Sequence, residues 1–233
     1  MHRTRIKICG LTREGDVMAA VAAGADALGF VFYRQSKRWI APNAAAVMMA
    51  AVPPFVTTVG LFVNATVEEV AATVALVPVS LLQFHGDETP EQCAAAARAV
   101  NRPFIAAYRI GPSTTAVNLL EYEVRCRAAG SLFAGLLLDT HVAGYGGGGK
   151  VFDWSIIPEE LAPRVVLSGG LHALNVTDAV TRVRPHAVDV SSGVESSMPH
   201  AAGDPPSTPG IKNADAIQAF VAAVRAGDSL LTR

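Results

Sequence analysis

Eight short apolar runs, each followed by a stretch of helical composition, constrain the fold of this chain more than any other feature. The runs lie at residues 5–9, 27–32, 56–62, 81–84, 104–109, 136–139, 165–168 and 187–190. They are apolar almost throughout, which is typical of parallel strands buried on both faces. The stretches between them, many rich in alanine, predict helices at 13–23, 43–52, 67–77, 90–100, 114–129, 154–161, 173–183 and 213–226.

The spacing of these elements predicts a barrel. Eight strand–helix units in 233 residues give about 29 residues each, which is the spacing of a minimal (β/α)8 fold. We therefore predict one α/β domain over residues 1–233, a single (β/α)8 TIM barrel. A doubly wound open sheet is the alternative, but such sheets usually have fewer strands and a Gly-x-Gly-x-x-Gly turn after the first strand, which this sequence lacks.

Local signals mark helix starts and two irregular segments. Thr66 and Thr89 begin capping-box patterns, and Thr12 can cap the first helix. Residues 196–208 are rich in proline, serine and small side chains, which predicts a mobile insertion. Residues 227–233 predict a frayed C-terminal tail.

Charge and cysteine patterns exclude several classes of function. A formal net charge of -1 gives no electrostatic basis for binding nucleic acid or an anionic membrane. No apolar run is long enough to span a membrane, and no signal peptide is visible. The three cysteines are far apart and odd in number, which favours a reducing, cytoplasmic location without disulfides. Neither they nor the histidines show the spacing of metal ligands, so no metal site is predicted.

Polar residues follow the predicted strands, and a barrel would gather them on one face. Cys9 ends the first strand, and Asp139 ends a strongly apolar run where a carboxylate is costly unless it is paired or used. Arg38, after the second strand, can hold a carboxylate or phosphate in two-pronged fashion. The alternatives are a buried hydrophobic thiol, a helix cap or ion pair, and a solvated loop charge.

Two glycine turns follow the seventh and eighth strands. They are Ser168-Gly169-Gly170 and Ser191-Ser192-Gly193. Phosphate sites in these barrels are often built from those two loops, through backbone N–H groups that glycine leaves accessible. Two tight turns without a ligand are the alternative. The glycine-rich segment 144–150 is read as a flexible loop over a substrate; Val151 after Lys150 rules out a Walker A loop.

Together these residues resemble one family, the phosphoribosylanthranilate isomerases of tryptophan biosynthesis. The match runs in order from the first strand to the last helix. Its motifs are Lys7-Ile8-Cys9-Gly10-Leu11-Thr12, Ser36-Lys37-Arg38, Gly60-Leu61-Phe62-Val63-Asn64, Leu82-Gln83-Phe84-His85-Gly86-Asp87-Glu88, Leu138-Asp139-Thr140, Ser168-Gly169-Gly170-Leu171, Asp189-Val190-Ser191-Ser192-Gly193-Val194-Glu195 and Pro209-Gly210-Ile211-Lys212-Asn213.

The resemblance implies an Amadori rearrangement of N-(5-phosphoribosyl)anthranilate to 1-(2-carboxyphenylamino)-1-deoxyribulose 5-phosphate. It assigns Cys9 as general base, Asp139 as general acid and Arg38 as the ligand of the substrate carboxylate. Phosphate is expected on Gly169, Gly170, Ser191, Ser192 and Gly193. Further candidates for the substrate site are Lys7, Gln83, His85 and Arg109. The family implies no cofactor or metal, and the chain is expected to be a monomer or homodimer.

Two departures and three rival functions accompany this assignment. Lys37 stands where family members commonly have proline, and the segment 196–208 is longer than usual. The related histidine-pathway isomerase uses an aspartate where this chain has Cys9, although activity on both substrates is possible. Indole-glycerol-phosphate synthase needs a strand-end lysine and a glutamate. A non-catalytic phosphate-binding barrel would have lost the acid or the base, and this sequence retains both.

Overall fold

The computed structural model describes residues 3–140, 151–195 and 209–231. Eight parallel strands close into a barrel in sequence order, so the predicted fold is confirmed. The strands are β1 (Arg5–Cys9), β2 (Ala27–Val31), β3 (Thr57–Phe62), β4 (Leu81–Phe84), β5 (Phe104–Ile110), β6 (Phe133–Thr140), β7 (Val165–Leu167) and β8 (Ala187–Val190). The first and last strands pair in parallel, with Lys7 beside Asp189, and this pairing completes the circle.

Seven α-helices surround the barrel within the described ranges. They are α1 (Glu14–Ala23), α2 (Pro42–Ala50), α3 (Val67–Leu76), α4 (Pro90–Val100), α5 (Ala116–Ala129), α6 (Val176–Val183) and α7 (Ala214–Leu230). The helix predicted at 154–161 is wrong, because only the 3₁₀ turn Trp154–Ile156 forms there. Pro158 has no N–H to bond the carbonyl of Trp154, so an α-helix cannot propagate through it.

The predicted capping boxes are confirmed, but Thr12 does not cap a helix. Thr66 and Thr89 each accept a hydrogen bond from the third helical N–H, and the side chains of Glu69 and Gln92 reciprocate. At α1 the residue in the cap position is Arg13, with no side-chain cap. The Thr12 hydroxyl instead donates to the carbonyl of Gly210 at 2.9 Å, which ties the first loop to the segment before α7.

The C-terminal helix is longer than the sequence indicates. Fraying is predicted from residue 227, whereas α7 continues to Leu230. Asp228 accounts for the difference, because its buried carboxylate accepts hydrogen bonds from the Thr4 N–H at 3.0 Å and the Thr4 hydroxyl at 2.7 Å. The predicted loop 144–150 and insertion 196–208 lie outside the described residues.

Strand alternation separates an apolar layer from a polar interior. Ile6 and Ile8 are fully buried and belong to the main apolar core. Lys7 and Cys9 alternate with them, so they face the barrel interior. A second small cluster around Cys9 contains Val31 and Leu61. No helix among the described residues is long and apolar enough to cross a membrane.

Candidate active site

The thiol of Cys9 lies beside an ammonium group at the carboxyl end of β1. A Cβ built on Gly29 would lie 2.8 Å from the Cys9 sulfur and 3.1 Å from Lys7 Nζ, so both groups fill the space that this glycine leaves. Lys7 Nζ also donates to Asp189 Oδ1 at 2.8 Å. The Ser168 hydroxyl donates to the other oxygen of Asp189 at 3.2 Å. The three groups Cys9, Lys7 and Asp189 are all buried.

Burial and charge act in opposite directions on this thiol. Burial raises the pKa of Cys9, and Asp189 adds to the increase, while Lys7 and Lys212 offset only part of it. For Lys7, burial lowers the pKa, but Asp189 and Cys9 raise it by more, so its pKa lies above the ordinary value. At neutral pH the site therefore holds a protonated thiol next to a lysine cation.

Asp139 lies at the end of a buried chain of hydrogen bonds. Its Oδ2 is 3.0 Å from His85 Nε2, and His85 Nδ1 is 2.9 Å from the amide nitrogen of Gln83. Oδ1 of Asp139 accepts from the Thr140 N–H at 2.8 Å. In this arrangement His85 accepts at Nδ1 and donates from Nε2, an amide and tautomer assignment that follows from the hydrogen-bond pattern. Gln83 Oε1 is buried and has no partner among the described residues.

The two predicted phosphate loops touch each other and both catalytic candidates. A Cβ on Gly193 would lie 2.0 Å from the carbonyl oxygen of Leu171, so the loops after β7 and β8 are in direct contact. Gly169 has a φ of +86° and lies against Asp139, whose Oδ1 would be 2.9 Å from an added Cβ. On the other side, the Ser191 hydroxyl donates to the carbonyl of Cys9 at 3.0 Å.

Several N–H groups of these loops have no protein partner. Within the described residues, those of Gly169, Gly170, Ser192 and Gly193 make no hydrogen bond to a protein acceptor. Unpaired backbone donors on two glycine turns that touch each other suit a phosphate group. Among the described residues no group of three histidine, cysteine or acidic side chains suits a metal ion.

Arg38 is held by a charge pair that the sequence analysis did not assign to the site. Its Nε and Nη2 donate to the two carboxylate oxygens of Glu195 at 2.6 and 2.9 Å. Lys212 Nζ donates to the same carboxylate at 2.9 Å and to the carbonyl of Ser191 at 3.0 Å. The signal available in the sequence was position: Glu195 directly precedes the insertion 196–208, and Lys212 follows it by four residues.

Arg109 is placed differently from the other candidates. It neighbours Asp139 in the pairing of β5 with β6, but its guanidinium pairs with Asp87 in the loop after β4. The structure therefore brings together Lys7 with Cys9, and Gln83 with His85 and Asp139. Arg109 lies outside these two groups, paired with Asp87. A separate cavity of about 310 Å³ opens at the amino ends of the strands, on the face of such barrels that serves stability.

Comparison with known proteins gives one consistent answer. The family model described as N-(5'phosphoribosyl)anthranilate (PRA) isomerase matches residues 6–223. A relative from Herminiimonas arsenicoxydans, named N-(5'-phosphoribosyl)anthranilate isomerase, is 63% identical over 231 residues, covering 99% of this chain and 97% of the relative. A relative of the same name from Methylibium petroleiphilum is 54% identical over 227 residues, covering 97% of this chain and 96% of its own length.

Solved structures agree with the sequence relatives. The phosphoribosyl anthranilate isomerase of Thermotoga maritima has a TM-score of 0.78 and 39% identity, and the match covers 95% of this chain and 98% of that one. A structure of the same enzyme type in complex with reduced 1-(o-carboxyphenylamino)-1-deoxyribulose 5-phosphate has a TM-score of 0.76 and 37% identity, with 95% and 98% covered. With its closed barrel and strand-end thiol and carboxylate, this chain belongs to the N-(5'-phosphoribosyl)anthranilate isomerase family.

Proposed function

We propose that the chain converts N-(5-phosphoribosyl)anthranilate to 1-(2-carboxyphenylamino)-1-deoxyribulose 5-phosphate, with Asp139 as acid and Cys9 as base. One observation carries the assignment of these roles: each group lies against one of two glycine loops that touch each other. Gly169 contacts Asp139, and Ser191 bonds the backbone of Cys9. A phosphate on the loops would place the sugar carbons of one substrate within reach of both groups.

The first step opens the ribose ring. Asp139 protonates the ring oxygen, the bond from that oxygen to C1 breaks, and the nitrogen lone pair forms the C=N bond of a Schiff base. Asp139 accepts hydrogen bonds from both His85 and Thr140 in the present arrangement, so the pair Asp139–His85 must take up one proton before it can donate. Turning the Gln83 amide would bring its unpartnered Oε1 to His85 Nδ1, where it could accept from a protonated ring.

The second step moves the C2 proton. The Schiff base makes this proton acidic, and the Cys9 thiolate removes it, so that the electron pair of the C2–H bond becomes the C1=C2 bond of an enamine. Tautomerisation of the C2 hydroxyl to a ketone, with protonation of C1, completes the rearrangement. Lys7 favours the thiolate by its positive charge, which opposes the effect of burial on the pKa of Cys9. The reaction is an isomerisation that needs only proton donors and acceptors and no external oxidant or reductant, so side chains suffice and no cofactor is proposed.

Arg38 is proposed to hold the anthranilate carboxylate. A guanidinium group has five N–H donors in a planar fork, and Glu195 occupies only the edge formed by Nε and Nη2. The edge that includes Nη1 is left to receive a second carboxylate in two-pronged geometry. We further propose a cytoplasmic enzyme, either monomeric or homodimeric; light scattering of the purified chain would distinguish the two oligomeric states.

A direct assay tests the reaction. The purified chain is mixed with N-(5-phosphoribosyl)anthranilate, whose fluorescence falls on turnover, and the product is identified by mass and chromatography. A non-catalytic phosphate-binding barrel would leave the fluorescence unchanged. Including the aminoaldose of the histidine pathway as a second substrate measures whether the chain acts on both. Growth without tryptophan of a strain that lacks this isomerase provides the test in cells.

A further inference from the structure

Three charged side chains outside the proposed acid and base form one cluster beside the phosphate loop. They are Arg38, Glu195 and Lys212, from the loop after β2, the turn after β8 and the segment before α7. Glu195 is 2% exposed, and the side chain of Lys212 is fully buried. An antiparallel bridge between Glu195 and Lys212 and a hydrogen bond of 2.9 Å from Asn213 N–H to the Val194 carbonyl hold the two segments together.

The cluster of Arg38, Glu195 and Lys212 has a net charge of +1. Two cations share one carboxylate, and the neighbouring Asp16 is already paired with Arg13. Arg38 and Lys212 keep the pKa of Glu195 below its ordinary value although burial acts to raise it. Burial lowers the pKa of Lys212 even though Glu195 raises it, as expected for an ammonium whose charge is only partly compensated. A buried excess of positive charge favours binding of one further anion.

The cluster also links the residues that are proposed to bind the two ends of the substrate, its phosphate and its carboxylate. Lys212 donates to the carbonyl and hydroxyl oxygens of Ser191 at 3.0 and 3.2 Å, and Ser191 belongs to the loop after β8. On the other side, Glu195 fixes the plane of the Arg38 guanidinium by two hydrogen bonds. The stem of Arg38 passes over Gly10, where an added Cβ would lie 2.5 Å from its Cδ. The loop of Arg38 is thereby held in place although Lys37 stands where the family commonly has proline.

We infer that Glu195 and Lys212 are positioning residues. They orient one edge of the Arg38 guanidinium toward an aromatic carboxylate and connect this carboxylate site to the phosphate loop. The inference rests on the proposed role of Arg38. It goes beyond that role because it assigns substrate affinity to two residues that need not touch the substrate. Since the carboxylate does not react, positioning it affects ground state and transition state alike, so the effect belongs in KM rather than kcat.

The experiment separates the two ends of the substrate with two competitive inhibitors, anthranilate and inorganic phosphate. For Glu195→Gln we expect KM and the inhibition constant of anthranilate to rise about 10- to 100-fold, the range for a lost hydrogen bond to a charged group, because losing the orientation of the Arg38 guanidinium outweighs the extra positive charge that the substitution leaves in the cluster. We expect kcat to change less than about 3-fold, because the acid and base are unaltered. The inhibition constant of phosphate should remain within about 2-fold, because Lys212 keeps its own hydrogen bonds to Ser191 in this variant. Lys212→Met should raise both inhibition constants, because Lys212 bonds Glu195 and Ser191.

Glu123→Gln is the matched control. Glu123 is also a buried carboxylate shared by two cations, Arg127 and Arg164, but it lies on α5, away from the site. The Glu123→Gln substitution should lower the melting temperature without changing the inhibition constant of anthranilate or of phosphate. If Glu195→Gln raised both inhibition constants equally, or had no more effect on KM than Glu123→Gln, the inference would be wrong. Should Glu195→Gln fail to fold, Glu195→Asp replaces it, with a smaller rise in KM expected.

A double-mutant cycle distinguishes this inference from the proposed function on which it rests. If Glu195 acts through Arg38, Glu195→Gln should have less than about a 2-fold effect on KM in an Arg38→Ala background. A full additional loss in that background would overturn the inference. If Arg38→Ala itself left the inhibition constant of anthranilate unchanged, the proposed binding of the carboxylate by Arg38 would be refuted, and the inference with it. An effect of Arg38→Ala without an effect of Glu195→Gln would reject the positioning role alone.

Discussion

At the scale of single residues, the site depends on how a buried thiol is charged. Cys9 is a small, nearly inaccessible side chain, which is the usual fate of a free cysteine. Its position beside Lys7 and at the carboxyl end of β1 is what distinguishes it from Cys93 and Cys126. Those two are also free and buried, and burial raises the pKa of both; nearby Glu88 raises that of Cys93 further, and Tyr122 and Arg125 offset only part of the rise at Cys126.

Removing the proposed base or the proposed acid should slow turnover strongly while the barrel remains folded. We expect Cys9→Ala and Asp139→Asn each to lower kcat by about 10²- to 10⁴-fold, the usual contribution of one positioned general acid or base. The double variant should lose less than the product of the two effects, since either loss stalls the same sequence of proton transfers. Steady-state kinetics measures kcat of each variant, and circular dichroism shows whether the variant is folded. A folded Cys9→Ala protein with near-parental turnover would mean that Cys9 only packs against Val31 and Leu61.

The raised pKa of Cys9 predicts a thiol whose reactivity increases with pH. Because the thiol ionises only above its ordinary range, the rate of alkylation at Cys9 in the parent should still be rising at about pH 9. Lys7→Met removes the cation that favours the thiolate and leaves the charge of Asp189 uncompensated by Lys7, so the rise should move to higher pH. Each unit of this shift lowers the thiolate fraction at neutral pH about tenfold.

Adding Asp189→Asn to Lys7→Met serves as the control for that prediction. Asp189 also raises the pKa of Cys9, so its neutralisation should restore part of the activity. The rate of alkylation at Cys9, followed by mass spectrometry across the same pH range, reports the thiolate independently of turnover. Coincident pH profiles for parent and Lys7→Met would exclude an electrostatic role of Lys7.

At the scale of elements, the site is built from turns that meet rather than from helices or strands. The loops after β7 and β8 contact at Gly193 and Leu171, and this contact requires a residue without a side chain. The same two loops reach Asp139 on β6 and Cys9 on β1, the proposed acid and base. Loop contact therefore sets the distance between the proposed phosphate site and both groups.

Gly193→Ala tests that contact. Its Cβ would approach the Leu171 carbonyl to 2.0 Å, which forces the loops apart. We expect a rise of at least about 10-fold in KM and in the inhibition constant of phosphate, the loss of about one charge-assisted hydrogen bond. Gly15→Ala in α1 is the matched control, because an added Cβ there meets nothing within 4 Å. Equal inhibition constants for the two variants would show that phosphate binds elsewhere.

At the scale of the whole molecule, the two ends of the chain stabilise the closed barrel. Pairing of β1 with β8 closes the sheet, and α7 lies beside β1 through the contact of Thr4 with Asp228. The Arg225 guanidinium adds a hydrogen bond of 2.7 Å to the Thr4 carbonyl. A terminal segment that looks dispensable in the sequence is in this way part of the fold.

Asp228→Ala should destabilise the protein without affecting catalysis. It removes the hydrogen bonds that Asp228 accepts from the buried N–H and hydroxyl of Thr4, which costs about 2–4 kcal/mol of the free energy of unfolding. For a chain of this size that corresponds to a fall of roughly 5–15 °C in Tm. Thermal unfolding measures the change, with kcat at 25 °C expected to match the parent. Asp178→Asn, at an exposed ion pair, should leave Tm within about 2 °C.

The sequence by itself determined the architecture and most of the proposed site. Strands and barrel order followed from the periodic alternation of apolar and helical stretches, because buried parallel strands are apolar on both faces. Cys9, Asp139 and the glycine turns were predictable because the barrel topology assigns the residues after every strand to one face. The helix at 154–161 was predicted wrongly, since composition favoured a helix and Pro158 prevents it.

Only the tertiary structure decided which charged groups meet. The contact of Lys7 with Asp189 spans 182 residues, that of Arg38 with Glu195 spans 157, and that of Thr4 with Asp228 spans 224. No local pattern encodes such pairs, because a charged residue has the same sequence signature whether it is solvated or buried against a distant partner. Burial and the charges of these partners together set the direction of each pKa shift, and both exist only once the barrel has closed. The sequence thus supplied the groups proposed for acid–base chemistry, and the fold determined their neighbours and the direction of the pKa shift at Cys9.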